Sequence, residues 1–268
     1  MADVLFELKN VQFSYLGRIP ALCGVDLTVA KGSRIAVIGA NGSGKSTLLQ
    51  MLDGLIFPDQ GSIRAFNVEL KESVFCDRDF SANFRKKVGL VFQNPDVQLF
   101  CTTVKEDILF GPLQLGLERK KIEERFAYLV EALAIQNLLE RPPHQLSIGE
   151  KRKVAIASVL IMDPEVLILD EPTAGLDPLT TRHIIDLLCG PSSQKTLITS
   201  THDLHIVEEI SDVVYVFGQD KSIVASGEPD KILKDEDLLR QNNLVHIHRH
   251  RHEDTTHAHP HLHIEHHG

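Results

Sequence analysis

Short runs rich in β-branched and aliphatic residues recur along the chain: Val4 to Phe13, Arg34 to Ile38, Val88 to Phe92, Val166 to Leu169, Thr196 to Ser200 and Val213 to Phe217. Turn residues separate them, and each reads as a strand. Between several of them apolar residues recur at three- and four-residue spacing. Ile122, Phe126, Leu129, Val130 and Leu133 would share one face of a helix. Strands apolar almost throughout are covered on both faces, so their alternation with helices predicts an α/β fold around a mostly parallel central sheet. The stretch from Val104 to about Leu139 reads as a mainly helical insertion. The longest apolar run, Val154 to Met162, is interrupted by Ser158 and is far shorter than the roughly 20 residues that span a bilayer. Any contact with a membrane is therefore expected to pass through a partner.

Near Glu228 the pattern changes. Asp230 to Leu244 reads as a polar helix, and from His246 onward histidine dominates with no apolar period. The expected organisation is one domain over 1–228, a helical extension over 229–245, and a tail over 246–268 that is disordered unless it binds metal. There is no internal repeat and no heptad run.

Composition narrows the class of function. With 268 residues, 43% hydrophobic and 24% charged, the chain can bury a full core without a covalent staple. A net charge of −9 offers no overall field to attract a polyanion, so nucleic acid is not an expected partner. Cys23, Cys76, Cys101 and Cys189 have no C-x-x-C spacing, which argues against a zinc knuckle and fits reduced thiols in a cytoplasmic protein. The N-terminus lacks a basic region followed by an apolar stretch, so no secretory leader is expected.

The chemistry begins at Gly39-Ala40-Asn41-Gly42-Ser43-Gly44-Lys45-Ser46, a phosphate-binding loop by letters and by its place between a strand and the helical pattern Thr47 to Leu55. Glycines let backbone N–H groups converge on phosphate oxygens, and the helix N-terminus adds a favourable dipole. Lys45 would neutralise the outer phosphates, and the Ser46 hydroxyl can ligate Mg²⁺. Much later, Val166-Leu167-Ile168-Leu169-Asp170-Glu171 is an apolar strand ending in two acids. Asp170 suits the Mg²⁺ shell, and Glu171 is a candidate general base for an attacking water.

The run Leu146-Ser147-Ile148-Gly149-Glu150-Lys151-Arg152 resembles the LSGGQ signature of ATP-binding-cassette ATPases and stands, as in that family, shortly before the acidic strand. Gln93 matches the family's glutamine loop, Gly175-Leu176-Asp177 the loop after the acidic strand, and His202 the histidine that follows the next strand. The resemblance covers about residues 4–228. It implies a P-loop NTPase core with an N-terminal antiparallel β-subdomain and a helical subdomain, about 94–160, that carries the signature. It further implies a head-to-tail dimer with ATP held between the phosphate loop of one copy, Gly39 to Thr47, and Ser147 and Gly149 of the other. Under the same resemblance Tyr15 stacks on adenine, Asp177 joins the nucleotide site, Gln93 senses Mg²⁺ and water, and His202 contacts the γ-phosphate. Two departures stand out. Ile148 occupies a glycine position and Glu150 a glutamine position, which makes the signature bulkier and more acidic.

The segment Val91 to Phe100, followed by Glu106 to Pro112, resembles the energy-coupling-factor branch of importers, which carry vitamins or transition metals. That resemblance implies a transmembrane coupling subunit gripped beside Asn94 to Phe100, a substrate-binding membrane subunit, and a place on the cytoplasmic face of the cell membrane. Ten of the 14 histidines fall in the last 23 residues. His246, His248, His250 and His252, then His257, His259, His261 and His263, alternate with other residues; neutral imidazole suits Ni²⁺, Co²⁺, Cu²⁺ and Zn²⁺, and alternation places rings on one side of an extended chain. With the importer resemblance this points to cobalt or nickel as cargo. A vitamin importer, a non-transport ATPase of the same fold and a metal-storage protein remain as alternatives, and the last would show no ATP turnover.

Overall fold

The structure, a computed structural model, describes residues 3–190, 195–252 and 255–262; for 246–262 it describes the backbone alone. Two long strands open the chain, β1 (Val4–Tyr15) and β2 (Ile19–Ala30), followed by β3 (Arg34–Gly39) and α1 (Lys45–Leu52). Next come β4 (Gln60–Ala65), β5 (Val68–Glu69), α2 (Glu72–Phe75), α3 (Arg78–Lys87) and β6 (Val88–Val91). The helical insertion holds α4 (Val104–Gln114), α5 (Arg119–Ala132) and α6 (Ile148–Leu160), and leads to β7 (Val166–Asp170), α7 (Pro178–Cys189) and β8 (Thr196–Thr201). The domain closes with α8 (Leu204–Ile210), β9 (Val213–Phe217) and β10 (Ile223–Gly227).

Six strands form the central sheet in the order β10-β9-β3-β8-β7-β6. All its neighbours pair parallel except the edge pair β10 and β9. Every residue of β7 and β8 is buried, which is why β7 reads as a continuous apolar run up to Asp170 and β8 as aliphatic and β-branched residues with Ser200. The second sheet, in the order β2-β1-β4-β5, is antiparallel throughout and forms the expected N-terminal β-subdomain. Along β2, Val25, Leu27 and Val29 are buried while Asp26 and Thr28 are exposed, a period of two that packs one face of the strand. One core lies between the two sheets around α1. Another lies between α4, α5 and α6 and the central sheet, where Ile108, Leu129, Val154 and Ile156 meet Leu167 and Leu169.

Two expectations for the C-terminus change. The single polar helix is two short ones, α9 (Pro229–Lys234) and α10 (Glu236–Gln241), because Asp235 between them turns its carboxylate onto the Leu238 N–H and caps the second. The tail, expected to be disordered, has backbone strands β11 (Val245–His252) and β12 (Thr255–Leu262), paired antiparallel with His246 opposite His261, His248 opposite His259 and His250 opposite His257. Histidine at every second position is the period of a strand, not only of a solvated chain. The side chains of His246 to His261, and His263 altogether, lie outside what the structure describes.

Candidate nucleotide site

The phosphate loop joins the buried end of β3 to α1. Gly44 has φ of 111°, and a Cβ there would lie 2.4 Å from the Ala21 carbonyl oxygen, so only glycine fits. α1 carries no acid in its first turn, which leaves its positive end open to an anion. The Lys45 ammonium donates to the carbonyls of Gly39, at 2.7 Å, and Ala40, at 3.2 Å. Burial lowers the Lys45 pKa, opposed by the charges of Glu171 and Asp170.

A pocket of about 350 Å³ opens in front of this loop, lined by Asn41, Gly42, Gly44, Lys45, Ser46 and Thr47, by Tyr15 to one side and by Gln93, Asp170 and Glu171 to the other. Tyr15 closes β1, packs edge-on against Phe13 with ring centroids 5.0 Å apart, and shares a 3.1 Å hydrogen bond with the Thr47 hydroxyl. Its ring therefore forms one wall of the pocket at a fixed angle. Ser43 and Gly39 are in the loop's buried underside, where a Cβ on Gly39 would lie 2.7 Å from the Ser43 hydroxyl.

The two acids stand at the end of β7, both buried. Asp170 accepts the hydroxyl proton of Ser200 on the neighbouring strand β8. Glu171 has φ of 48°, a conformation uncommon for a non-glycine residue, and its N–H donates to the Ser200 carbonyl at 3.1 Å. The turn throws the Glu171 carboxylate toward His202, whose Nδ1 lies 2.8 Å from Oε2. Ser46, Asp170 and Gln93 offer only oxygen donors among the pocket's plausible metal ligands, the hard set that suits Mg²⁺.

The glutamine loop is tied to the signature helix by side chains that sequence reasoning passed over. Gln98 accepts from the Phe92 N–H at 3.2 Å and donates to the Ala155 carbonyl at 2.9 Å and the Ser158 hydroxyl at 3.1 Å. Arg152 donates to the Phe92 carbonyl at 3.1 Å from a buried position; burial lowers its pKa, against the pull of Asp170 and Glu171. Lys151 reaches Asp96 at 2.7 Å. Another residue absent from the sequence reading is Lys221, which enters the pocket from the turn between β9 and β10.

Ser147 is the N-cap of α6 in a capping box with Glu150, whose carboxylate accepts from the Ser147 N–H at 2.8 Å and hydroxyl at 2.9 Å. Ile148 is 63% exposed, and Gly149 faces Leu176. Asp177 caps α7 by accepting from the Thr180 N–H and hydroxyl. Neither Ser147, Gly149 nor Asp177 lines the nucleotide pocket of its own chain. Beside the glutamine loop a separate open groove is lined by Phe100, Phe110, Leu113, Thr103, Glu106 and Glu140, with the two phenylalanine rings edge to face at 4.9 Å. Phe100 is 67% exposed. Among the described residues no helix is long and apolar enough to cross a membrane, and no group of three or more His, Cys, Asp or Glu is arranged to hold a metal ion.

The ABC transporter family matches residues 22–174, more than half of the chain. The nickel import ATP-binding protein NikO of Rhodobacter capsulatus is 50% identical over 244 residues, covering 90% of this chain and 95% of that protein. The energy-coupling factor transporter ATP-binding protein EcfA of Methanothermobacter thermautotrophicus is 42% identical over 241 residues, covering 90% of this chain and 76% of that protein. Among solved structures the ATP-binding cassette MJ0796, a dimer in a post-hydrolysis state bound to ADP and phosphate, matches with a TM-score of 0.76 at 26% identity, over 84% of this chain and 99% of that one. With its phosphate loop, acidic strand and signature helix in one fold, the chain belongs to the ABC transporter family as an ATP-hydrolysing, ATP-binding subunit.

Proposed function

We propose that this chain is the motor of an energy-coupling-factor importer of nickel or cobalt, and that two copies close head to tail over two ATP molecules to drive a transmembrane coupling subunit. The observation that carries the dimer is the position of Ser147, Gly149 and Asp177, which stand at helix starts outside their own chain's pocket and so need a second copy to meet a nucleotide. The dimeric MJ0796 cassette supports it.

In the closed site Tyr15 stacks on adenine, and the N–H groups of Asn41 to Thr47 with Lys45 hold the phosphates. Ser46, Gln93 and Asp170 are the residues that would hold Mg²⁺, which neutralises phosphate charge when bound. Glu171 accepts a proton from water as the water oxygen bonds the γ-phosphorus and the bond to the ADP oxygen breaks. His202 fixes the Glu171 carboxylate and reaches the transferred phosphoryl group. Gln98 and Arg152 couple the glutamine loop to α6, so that changes at Gln93 reach the partner-facing signature. The groove around Phe100 and Phe110, an exposed apolar patch beside that loop, receives the coupling subunit.

Nickel as cargo is supported by the name of the NikO relative and by the tail. There the backbone register sets His246, His248 and His250 opposite His261, His259 and His257, and we assign Ni²⁺ or Co²⁺ binding to these six with His252 and His263, on the chemistry of imidazole. Two experiments test the proposal. Glu171→Gln is expected to abolish turnover and to elute as a dimer with ATP on size exclusion; unchanged turnover would overturn the assignment. Truncation before His246 is expected to weaken Ni²⁺ binding by the purified chain while leaving its ATPase rate intact, and unchanged metal binding would remove the tail from the account.

A further inference from the structure

Lys221 sits in the tight turn between β9 and β10, far from every motif of the nucleotide site in sequence. Its ammonium nevertheless lines the pocket and donates to the Gly42 carbonyl, in the middle of the phosphate loop. The turn is built to hold it there. Gly218 N–H donates to the Ser222 carbonyl at 3.0 Å, Asp220 accepts from the Ser222 N–H and hydroxyl, and the Lys221 carbonyl accepts from the Cys23 N–H of β2 at 2.9 Å. The same stretch of β2 contributes Ile19, Pro20 and Ala21 to the pocket wall.

Two features argue that the side chain, not the turn, is what this position serves. Lys221 has φ of 67°, in the left-handed region that glycine occupies without cost and a lysine does not. Among the described residues its ammonium donates to a carbonyl and forms no ion pair, so its charge is not neutralised by a carboxylate. A cation held over a phosphate loop on a flexible four-carbon stem can move from the carbonyl to a phosphate oxygen without moving the backbone. Such a bond, charged on both sides, is stronger than the one it replaces.

We infer that Lys221 is a second phosphate-binding cation of the nucleotide site, acting from outside the loop while Lys45 acts from within it. The inference rests on the pocket being the nucleotide site. Its ligand is the polyphosphate of a nucleoside di- or triphosphate and not the base, so the effect falls on ATP and spares AMP.

The test is a titration of the full chain with ATP and with AMP at low and high salt, in wild type, Lys221→Gly and Lys221→Met. Lys221→Gly suits the left-handed backbone, so it is expected to keep or raise the melting temperature while weakening ATP about fivefold to tenfold, with AMP changed less than twofold. The loss should shrink at high salt. Lys221→Met is expected to weaken ATP equally. ATP affinity within twofold of wild type in Lys221→Gly, or ATP and AMP weakened alike, would overturn the inference. A wild-type chain that bound no ATP at all would sink the nucleotide reading itself, and this inference with it.

Discussion

Glu150 gives the sharpest perturbation, because in the proposed head-to-tail dimer it adds a negative charge where a polyanion must be accepted. Its carboxylate is bonded to both the N–H and the hydroxyl of Ser147, at 2.8 and 2.9 Å, and those bonds hold its pKa below the usual range, so it is ionised at neutral pH. If the Ser147 hydroxyl bonds the partner's γ-phosphate at about 3 Å, the Glu150 carboxylate lies about 6 Å from that phosphate. One unit of like charge at about 6 Å repels by roughly 0.7 kcal/mol in water and roughly 3 kcal/mol at an effective dielectric near 20. A value of about 1 kcal/mol, reduced by salt, corresponds to about fivefold in affinity. Glutamine serves a capping box as well as glutamate does, so Glu150→Gln keeps α6 intact. The expected result is an ATP concentration for half-maximal turnover lowered about fivefold at low ionic strength, with the gain fading at high salt. An equal or higher half-maximal concentration at low salt would refute the placement of Glu150 beside the partner's phosphates.

Asp53, at the C-terminal end of α1, gives a pH dependence. Burial raises its pKa from 3.8 to about 7, although Arg85 at 2.7 Å opposes the shift. An acid whose folded pKa lies above its unfolded one stabilises the fold at low pH and loses that contribution as pH rises toward the folded value, so this group should cost on the order of 1 kcal/mol between pH 6 and pH 8. Urea unfolding of wild type and Asp53→Asn at both pH values checks this; the variant should lack that share of the slope, and parallel slopes would contradict it. Gln98→Ala leaves the Phe92 N–H without its acceptor and should cost about 1 to 3 kcal/mol, lowering turnover more than nucleotide affinity, as steady-state kinetics beside a binding titration would show.

What could be read from sequence follows from distance along the chain. β3 and β7 were legible because strands buried on both faces are apolar almost throughout, β8 because Leu197 and Ile198 stand among β-branched threonines, and the phosphate loop because all its functional atoms come from eight consecutive residues. β2 and β4 were not, since they bury one face only and interleave residues such as Asp26 and Arg64 with the apolar ones. The acidic pair was found, but the left-handed turn that swings Glu171 onto His202 is a tertiary outcome. Gln98 acts on a helix 57 residues later and Lys221 on a loop 179 residues earlier, and no local pattern announces either contact. The alternation of the histidine tail was legible as an extended chain, but the antiparallel pairing of its two halves was not, because no apolar period marks where the strands turn.

The central claim is that each ATP is hydrolysed between two copies, and complementation tests it most directly. Lys45→Ala loses the phosphate grip and Ser147→Arg blocks the signature, so each variant alone should be inactive. In a mixed head-to-tail dimer one site combines the intact phosphate loop of the Ser147→Arg copy with the intact signature of the Lys45→Ala copy. With random pairing half of the dimers are mixed and each has one sound site, so mixing the two inactive proteins should restore up to about a quarter of the wild-type rate. No activity on mixing, with dimers demonstrably exchanging subunits, would contradict the account.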